Sequence, residues 1–201
     1  MSKQSMSDAS IIKEISLRRA TVADAQAIAA VRIESWRATY RGVMPDEYLD
    51  EMKLDDSTAI WTRILNTSAD ELRCVFVAIA DDEIIGFASG ILLKEEKQGM
   101  HAELAAIYLR PAYQGLGIGQ RMLQKVSRTL QAMGAKNMLV WVLTGNKAAR
   151  QFYETFGGQF LIEQNFIWDE LELQEVAYGW PDLNELTELH LTSAEVAPTL
   201  H

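Results

Sequence analysis

The sequence predicts an α/β domain with a mixed, mostly antiparallel sheet of about seven strands flanked by helices. Two observations lead to this fold class. Short apolar stretches that are typical of strands alternate with stretches of helical periodicity. A two-strand hairpin also comes before a single strand–helix–strand crossover. Hairpins pair strands antiparallel and crossovers pair them parallel, so we expect a sheet that contains both kinds of pairing.

The predicted elements follow the order β-α-α-β-β-β-α-β-α-β-β. Strands are expected at residues 15–19, 73–80, 84–93, 101–109, 138–143, 159–167 and 173–179. Helices are expected at residues 21–40, 46–52 and 55–65, then from a glycine-rich turn up to Gly134, and at 147–156. Thr21 is a suitable N-cap for the first helix, with Asp24 as the acid three positions later. Residues 94–99 form a polar stretch and are expected to be a loop.

Length and composition indicate one domain. The 201 residues suit a single α/β domain, and 48% of them are hydrophobic, which is enough to bury a core. No internal repeat or low-complexity linker divides the chain. We therefore expect a flexible N-terminus at 1–13, a single domain at 14–181 and a weakly helical or frayed tail at 182–201.

Composition also argues against several functional classes. A net charge of −9 disfavours nucleic acid, whose binding depends on cationic contacts to phosphate. A single cysteine, Cys74, excludes a disulfide framework and a cysteine-rich metal site, and no metal is expected. The N-terminus lacks the cationic and apolar regions of a signal peptide. No apolar run approaches the roughly 20 residues that span a bilayer, so we expect a cytoplasmic protein with no membrane partner.

The strongest local signal is the glycine-rich turn Gln114-Gly115-Leu116-Gly117-Ile118-Gly119 between a strand and a helix. Such a turn directs free backbone N–H groups and the positive end of the helix dipole at one point, which suits a phosphate. No Gly-Lys-Ser/Thr follows, so it is not a Walker loop, and a dinucleotide fingerprint also fits poorly. Taken alone, the pattern fits a plain tight turn as well as a phosphate site.

Three motifs together resemble the GNAT superfamily of N-acetyltransferases. Gln114-x-x-Gly117-x-Gly119 is similar to the pyrophosphate-binding motif of that family, Gln/Arg-x-x-Gly-x-Gly/Ala. The stretches 103–111 and 146–157 resemble its fourth strand and its second conserved block, and the similarity extends over about residues 15–180. The segment 35–40, with Pro45 and the ending 178–180, resembles a bacterial subgroup whose acceptors are mostly unassigned.

The resemblance implies an enzyme that transfers an acetyl group from acetyl-coenzyme A to a primary amine of a small molecule or peptide, by direct attack in a ternary complex. The residues that it assigns to the coenzyme are Ile107, Leu109, Gln114, Gly115, Leu116, Gly117, Ile118, Gly119, Gln120 and Asn146. Backbone N–H groups of the turn would hold the pyrophosphate. The fourth strand would pair with the pantetheine arm, and the N–H of Ile107 would polarise the thioester carbonyl.

Two residues are candidates for proton transfer. Glu103 occupies the position of the catalytic glutamate in the histone-acetylating branch of the family, and strand alternation predicts that it shares a face with Ala105 and Ile107. Tyr153 matches the family tyrosine that donates a proton to the departing thiolate, a role that suits a phenol. The alternatives are a solvated glutamate at a strand start and a core tyrosine. His101 is a weaker candidate for a proton relay.

The acceptor pocket of the family is built from the first helix pair and the last two strands, so Trp36 and Tyr40 are candidates to bind the amine. Trp141 and Trp168 are further candidates, and each of the four could equally be a core residue. Family members often dimerise through terminal strands, so a homodimer is compatible with the resemblance. The acceptor itself is open: small amines, polyamines, amino acids, antibiotics and protein amines all fit.

Two other functions remain open from the sequence. A catalytically silent coenzyme A-binding sensor would keep the glycine turn but would not need Glu103 and Tyr153. A nucleotide-phosphate-binding protein would use the same turn without a pantetheine arm.

Overall fold

One mixed β-sheet organises the protein. The structure, a computed structural model, describes residues 14–67 and 72–187. Within these residues the strands are β1 (Ile15–Arg19), β2 (Arg73–Ala80), β3 (Glu83–Lys97), β4 (Met100–Leu109), β5 (Met138–Leu143), β6 (Gln159–Trp168) and β7 (Leu171–Trp180). They form one sheet in the order β1-β2-β3-β4-β5-β7-β6. Each neighbouring pair is antiparallel except β4 and β5, which are parallel. The predicted fold class is confirmed.

The helices are α1 (Ala25–Tyr40), α2 (Asp46–Asp50), α3 (Leu54–Thr67), α4 (Ile118–Ala132), α5 (Lys147–Thr155) and α6 (Leu183–Thr187). Single turns of 3₁₀ helix at Val22–Asp24 and Pro111–Tyr113 precede α1 and the glycine-rich turn. The helices α4, α5 and α6 pack on one side of the sheet, which we call the α4 face. The helices α1 and α3 cover the other side, the α1 face.

Two segments differ from the sequence-based expectation. The predicted polar loop at 94–99 is mostly strand, because β3 continues to Lys97, which pairs with Met100 across a tight turn. Backbone pairing extends the hairpin there although the side chains point into solvent. The predicted tail begins with α6, whose Leu183 and Leu186 are buried in the core of the α4 face. The expected flexible N-terminus and the end of the tail lie outside the described residues.

A β-bulge in β4 reverses which residues face which side. Gly90 of β3 pairs with Leu104 and Ser89 pairs with Ala106, so Ala105 is an extra residue on β4. Before the bulge, Leu104 packs on the α4 face. After it, Ile107 packs on that same face. The strand therefore presents even-numbered residues to α4 before the bulge and odd-numbered residues after it.

The start of α1 is fixed by a charged cluster. The carboxylate of Asp24 accepts a hydrogen bond from the backbone N–H of Thr21 at 2.7 Å, as expected for a capping residue. Arg18 of β1 donates both of its terminal nitrogens to the same carboxylate, at 2.7 and 2.8 Å. The hydrogen bond from Arg18 lowers the pKa of Asp24 to about 2. This cluster ties the helix to the edge of the sheet.

We expect Asp24→Asn to lower the free energy of unfolding at pH 7 by about 1–2 kcal/mol. The pKa of Asp24 is lower in the folded protein than in the unfolded chain, so the stabilisation is present above about pH 4 and is lost as the pH falls towards 2. Urea unfolding of both proteins at pH 7, 4 and 2.5 measures the difference in the free energy of unfolding. This difference should become smaller as the pH falls. Glu51→Gln, at an exposed acid, is the control. A difference that stays constant over this range would contradict the ion pair.

Candidate active site

The parallel pair β4–β5 opens into a cavity. The two strands pair only at Glu103 and Leu139, although both strands continue for several residues beyond that point. A cavity of about 480 Å³ lies where the pairing stops, lined by residues 104–109 of β4 and 140–142 of β5. The glycine-rich turn, α1 and α5 contribute the remaining walls. The cavity therefore exposes the backbone edge of β4 within the sheet.

Backbone N–H groups of β4 point into this gap. The N–H of Arg110, directly after the strand, donates to the carbonyl of Ile85 on β3 at 2.9 Å. Backbone direction alternates along a strand, so the N–H groups of Ile107 and Leu109 point the other way, towards β5 and the cavity. Unpaired backbone groups of this kind are obligatory hydrogen-bonding sites for a ligand or water. The orientation that the resemblance requires at these two residues is present.

The glycine-rich turn forms the wall at the start of α4. Gly115 and Gly117 have positive φ angles of 77° and 73°, which residues with a side chain adopt only with strain. Gly117 is also the N-cap of α4. A Cβ atom added at either glycine would meet no protein atom within 4 Å, so the space above the turn is open. The first turn of α4 contains no acidic side chain. Free N–H groups and the helix dipole thus give this turn the properties that favour binding of an anion.

Other residues of this motif have structural contacts of their own. The Gln114 side chain donates to the carbonyl of Leu109 at 3.2 Å and so holds the turn against the end of β4. The Ile118 side chain is buried in the core, whereas the Leu116 side chain is 62% exposed. A Cβ atom on Gly119 would lie 3.2 Å from the Phe152 ring, so this glycine allows close packing of α4 on α5. At Ile118, therefore, only the backbone is available to a ligand.

Tyr153 brings a hydroxyl group to the cavity. Tyr153 is 5% exposed, and its side chain is one of those that line the cavity. The hydroxyl has no hydrogen-bond partner among the described residues. Burial raises the pKa of Tyr153 well above its usual value, and nearby Tyr40 adds to the rise. The phenol is therefore protonated at neutral pH and free to donate.

Asn146 begins the helix that holds Tyr153. Its side-chain oxygen accepts a hydrogen bond from the N–H of Ala149 at 3.1 Å, which makes it the N-cap of α5 as the sequence predicts. Its amide nitrogen donates to the hydroxyl of Tyr40 at 3.4 Å. Asn146 therefore links α5 to α1 across the cavity, and it lines the cavity itself.

The predicted face of Glu103 is wrong. Regular alternation would place Glu103, Ala105 and Ile107 together, but the bulge at Ala105 moves Ile107 to the α4 face. Glu103 lies on the α1 face, the side on which Ala106 and Tyr108 also pack. Its side chain is 19% exposed, forms an ion pair with Lys97 at 3.1 Å and is outside the cavity lining.

His101 lies further from the cavity. Its Nδ1 atom is 2.6 Å from the side-chain oxygen of Asn137, and its Nε2 atom is 3.1 Å from a carboxylate oxygen of Glu96. Both partners are near the β3–β4 turn, and the histidine side chain is 42% exposed. These contacts give His101 a structural role at that end of the sheet.

An aromatic wall, defined here as Trp36, Tyr40, Tyr48, Tyr108 and Trp168, stands beside the cavity on the α1 face. The Trp36 ring packs edge-on against Tyr40 at 5.2 Å between centroids and lies 5.9 Å from the Trp168 ring. Trp168 Nε1 donates to the Tyr48 hydroxyl at 2.7 Å. Tyr40 and Tyr108 line the cavity directly, whereas Trp36 is 8% exposed and lies behind them. Trp141 of β5 also lines the cavity.

Sequence reasoning missed two residues of this region. Tyr108 lines the cavity, and burial raises its pKa well above the usual value. Strand alternation relative to Ile107 could have placed it on the side of α1. Arg32 contacts the Trp36 ring, and the spacing of four residues from Arg32 to Trp36 and again to Tyr40 puts all three on one side of a helix. That stripe was readable from the sequence.

Metal clusters and membrane-spanning helices are both absent from the part of the chain that the structure describes. In residues 14–67 and 72–187 there is no group of three or more His, Cys, Asp or Glu side chains that could hold a metal ion. In the same part of the chain no helix is both long enough and apolar enough to cross a membrane.

Comparison with known proteins agrees with this geometry. A crystal structure of PaiA N-acetyltransferase from Thermoplasma acidophilum, in complex with coenzyme A, superposes with a TM-score of 0.63 at 22% identity, covering 81% of this chain and 98% of that one. At that identity the likeness shows the fold. Spermidine N(1)-acetyltransferase of Thermoplasma acidophilum is 26% identical over 76% of this chain and 98% of its own length.

The family assignment rests on two stronger matches. The family model described as Acetyltransferase (GNAT) family matches residues 31–158. The uncharacterized N-acetyltransferase YuaI of Bacillus subtilis strain 168 is 34% identical over 87% of this chain and 98% of its own length. The resemblance found in the sequence motifs is confirmed. The chain therefore belongs to the GNAT family of acetyltransferases and is an enzyme of the N-acetyltransferase class.

Proposed function

We propose that this enzyme transfers an acetyl group from acetyl-coenzyme A to a primary amine of a small molecule or peptide, by direct attack in a ternary complex. The observation that supports the proposal best is the convergence of three features on one cavity. These are the open glycine turn at the start of α4, the free N–H groups on the edge of β4 and the free hydroxyl of Tyr153. Together they supply an anion site, an extended pairing edge and an acid.

The residues present fit coenzyme A. Backbone N–H groups from Gly115 to Gln120 suit the pyrophosphate, because the turn is open above both positive-φ glycines. The N–H groups of Ile107 and Leu109 suit the amides of a pantetheine arm laid between β4 and β5. Asn146 lines the same channel and has an amide to contribute.

Acetyl-coenzyme A supplies the acyl group as a thioester. The chain's own contribution begins with the N–H of Ile107, which points into the gap and stabilises negative charge that develops on the carbonyl oxygen during attack. A donor in this position contributes typically about 3 kcal/mol to lowering the barrier. The strand holds it in place before the reaction, so no reorganisation is needed.

The two proton transfers are assigned to opposite sides of the gap. Tyr153 donates its phenolic proton to the departing sulfur, since it is protonated and unpaired. Glu103 removes the proton of the incoming amine through water, because its carboxylate is outside the cavity lining but on the side of Tyr108 and the aromatic wall. The amine therefore enters from the α1 face, and the coenzyme occupies the α4 face and the gap. Trp36 and Tyr40 belong to the amine side.

Replacing Gly117 by valine is expected to raise the dissociation constant of coenzyme A by about 10²-fold or more, equivalent to about 2.7 kcal/mol. A branched side chain would fill the open space above the turn and disfavour the positive φ of 73°. Calorimetric titration of folded protein with coenzyme A measures the effect.

Gly99→Val is the matched control for this experiment. Gly99 has a φ of 74° and equally open surroundings, but it lies in the β3–β4 turn outside the cavity lining. The control variant carries the same backbone strain and should keep its affinity. Equal affinities in wild type and Gly117→Val would remove the glycine turn from the coenzyme site.

Tyr153→Phe should lower turnover by about 10²-fold with little change in coenzyme affinity, because only the transferable proton is lost and the ring packing stays. Steady-state release of free thiol, with titration of coenzyme A in parallel, separates the two quantities. Tyr178→Phe is the control: it removes a buried hydroxyl that binds Glu154 and Arg150 outside the cavity. That variant should lose stability and retain turnover. Wild-type turnover in Tyr153→Phe would return this tyrosine to a packing role.

Glu103→Gln should lower turnover by about 10²-fold and flatten or displace the ascending limb of the pH–rate profile. A protonated amine cannot attack, so the rate must rise with pH through the pKa of the group that removes the proton. The profile is measured from pH 5 to 9 under kcat/KM conditions, with Glu95→Gln at an exposed acid on the same hairpin as control. An unchanged rate and profile in Glu103→Gln would assign the proton to another acceptor.

A further inference from the structure

Arg32 occupies an unusual environment on the α1 face. Its guanidinium carbon lies 4.3 Å from the centroid of the Trp36 ring, the geometry of a cation–π contact. It also interacts electrostatically with the phenol groups of Tyr108, Tyr48 and Tyr40. Four of its neighbours are therefore aromatic side chains, all of which belong to the aromatic wall, and two of them, Tyr40 and Tyr108, also line the cavity.

No anion neutralises this guanidinium within the described residues. The other arginines near α1 have clear partners: Arg18 binds Asp24, Arg41 binds Asp46 and Asp50, and Arg110 binds Glu34 and Glu83. Arg32 forms no ion pair and no hydrogen bond in residues 14–67 and 72–187. Its nitrogens are also absent from the buried polar atoms that lack a partner, so they remain accessible.

The N–H groups of the Arg32 guanidinium are accessible although aromatic rings surround much of the side chain, so these N–H groups need hydrogen-bond acceptors. It presents five N–H donors in a rigid planar fork, and burial lowers the pKa of Arg32 because the charged form is poorly solvated there. Phenol rings and an indole solvate its flat faces but leave the donor edge unsatisfied. A carboxylate matches that edge with two parallel hydrogen bonds.

The position of Arg32 relates this unused donor edge to the reaction. Arg32, Trp36 and Tyr40 are spaced by four residues on α1, so they form one stripe, of which Tyr40 lines the cavity and Arg32 lies outside the lining. At the far side of the same face lie Glu103 and Glu175, which interact electrostatically with each other. Glu103 is paired with Lys97, whereas Arg32 has no carboxylate partner among the described residues.

We propose that Arg32 binds a carboxylate of the acceptor, and that the acceptor is an amino acid or a short peptide with an accessible carboxylate. The inference rests on the proposed function, since it concerns the amine side of the same cavity. It distinguishes this enzyme's acceptor from a polyamine such as spermidine, which has cationic groups and no anion to meet Arg32. A polycation would place like charge against the guanidinium.

The test compares acceptors that differ only in the carboxylate. Three pairs serve: L-lysine with 1,5-diaminopentane, L-alanine with ethylamine, and L-phenylalanine with phenethylamine, with spermidine as a separate arm. Acetyl transfer is measured as kcat/KM from thiol release. Binding of each acceptor is measured by calorimetry on the protein with and without coenzyme A, and this measurement does not require turnover.

Two variants separate charge from packing. Arg32→Met keeps the length and apolar contact with Trp36 but removes the donor fork, and Arg32→Lys keeps the charge without the fork. Arg41→Gln is the matched control, because it removes an arginine charge from the next loop where exposed Asp46 and Asp50 are its partners. The amine that lacks a carboxylate is an internal control for folding within each variant.

For at least one pair, wild-type enzyme is expected to prefer the carboxylate-bearing member by about 10²-fold in kcat/KM or in affinity. Arg32→Met should abolish that preference by weakening only the carboxylate-bearing member, Arg32→Lys should reduce it about 10-fold, and Arg41→Gln should keep it. KM for acetyl-coenzyme A should not change. These results would support the assignment.

Three results would overturn it. Wild-type enzyme could prefer spermidine or the amines without a carboxylate, or Arg32→Met could weaken both members of each pair equally, as a purely structural arginine would. A preference for carboxylates that survives in Arg32→Met would place the recognition elsewhere. Failure of the proposed function is distinct, because it would appear as no coenzyme A binding or as no transfer to any amine. In that case the calorimetric affinities of the acceptors for wild type and the Arg32 variants still test the carboxylate site.

Discussion

The arrangement of this site depends on the loss of pairing between β4 and β5. A sheet normally satisfies every backbone group of an interior strand, and an interior strand that lacks a neighbour on one side leaves hydrogen-bonding groups exposed at the centre of the protein. Here the two strands pair at Glu103 and Leu139 and then part. The cavity and the exposure of the β4 N–H groups that point towards β5 both follow from that separation.

The bulge at Ala105 determines which side chains meet on each side of the gap. It turns Ile107 towards α4 and Tyr108 towards α1, which are the sides proposed for the coenzyme and for the amine. One extra residue thereby separates two chemical environments along a single strand. Tyr153 on α5 and Tyr40 on α1 then approach the same backbone from opposite faces of the sheet.

The sequence predicted the sheet and the glycine turn well because both depend on local chemistry. Apolar periodicity places β5 at its observed limits, and the positive φ angles of Gly115 and Gly117 agree with a turn that requires glycine. The face of Glu103 was mispredicted because a bulge has no reliable sequence signal and reverses alternation downstream. The environment of Arg32 was not predicted because it depends on Tyr108 and Tyr48, which come from distant parts of the chain.

The capping cluster of Asp24, Thr21 and Arg18 makes α1 a rod anchored at its first turn. A helix rises 1.5 Å per residue, so the Cα atoms of Arg32 and Tyr40 are about 12 Å apart along its axis. Side-chain motion cannot change that length, because it belongs to the backbone. If Arg32 binds the acceptor as proposed, this fixed separation selects acceptors by the distance between their carboxylate and their amine as well as by their charges.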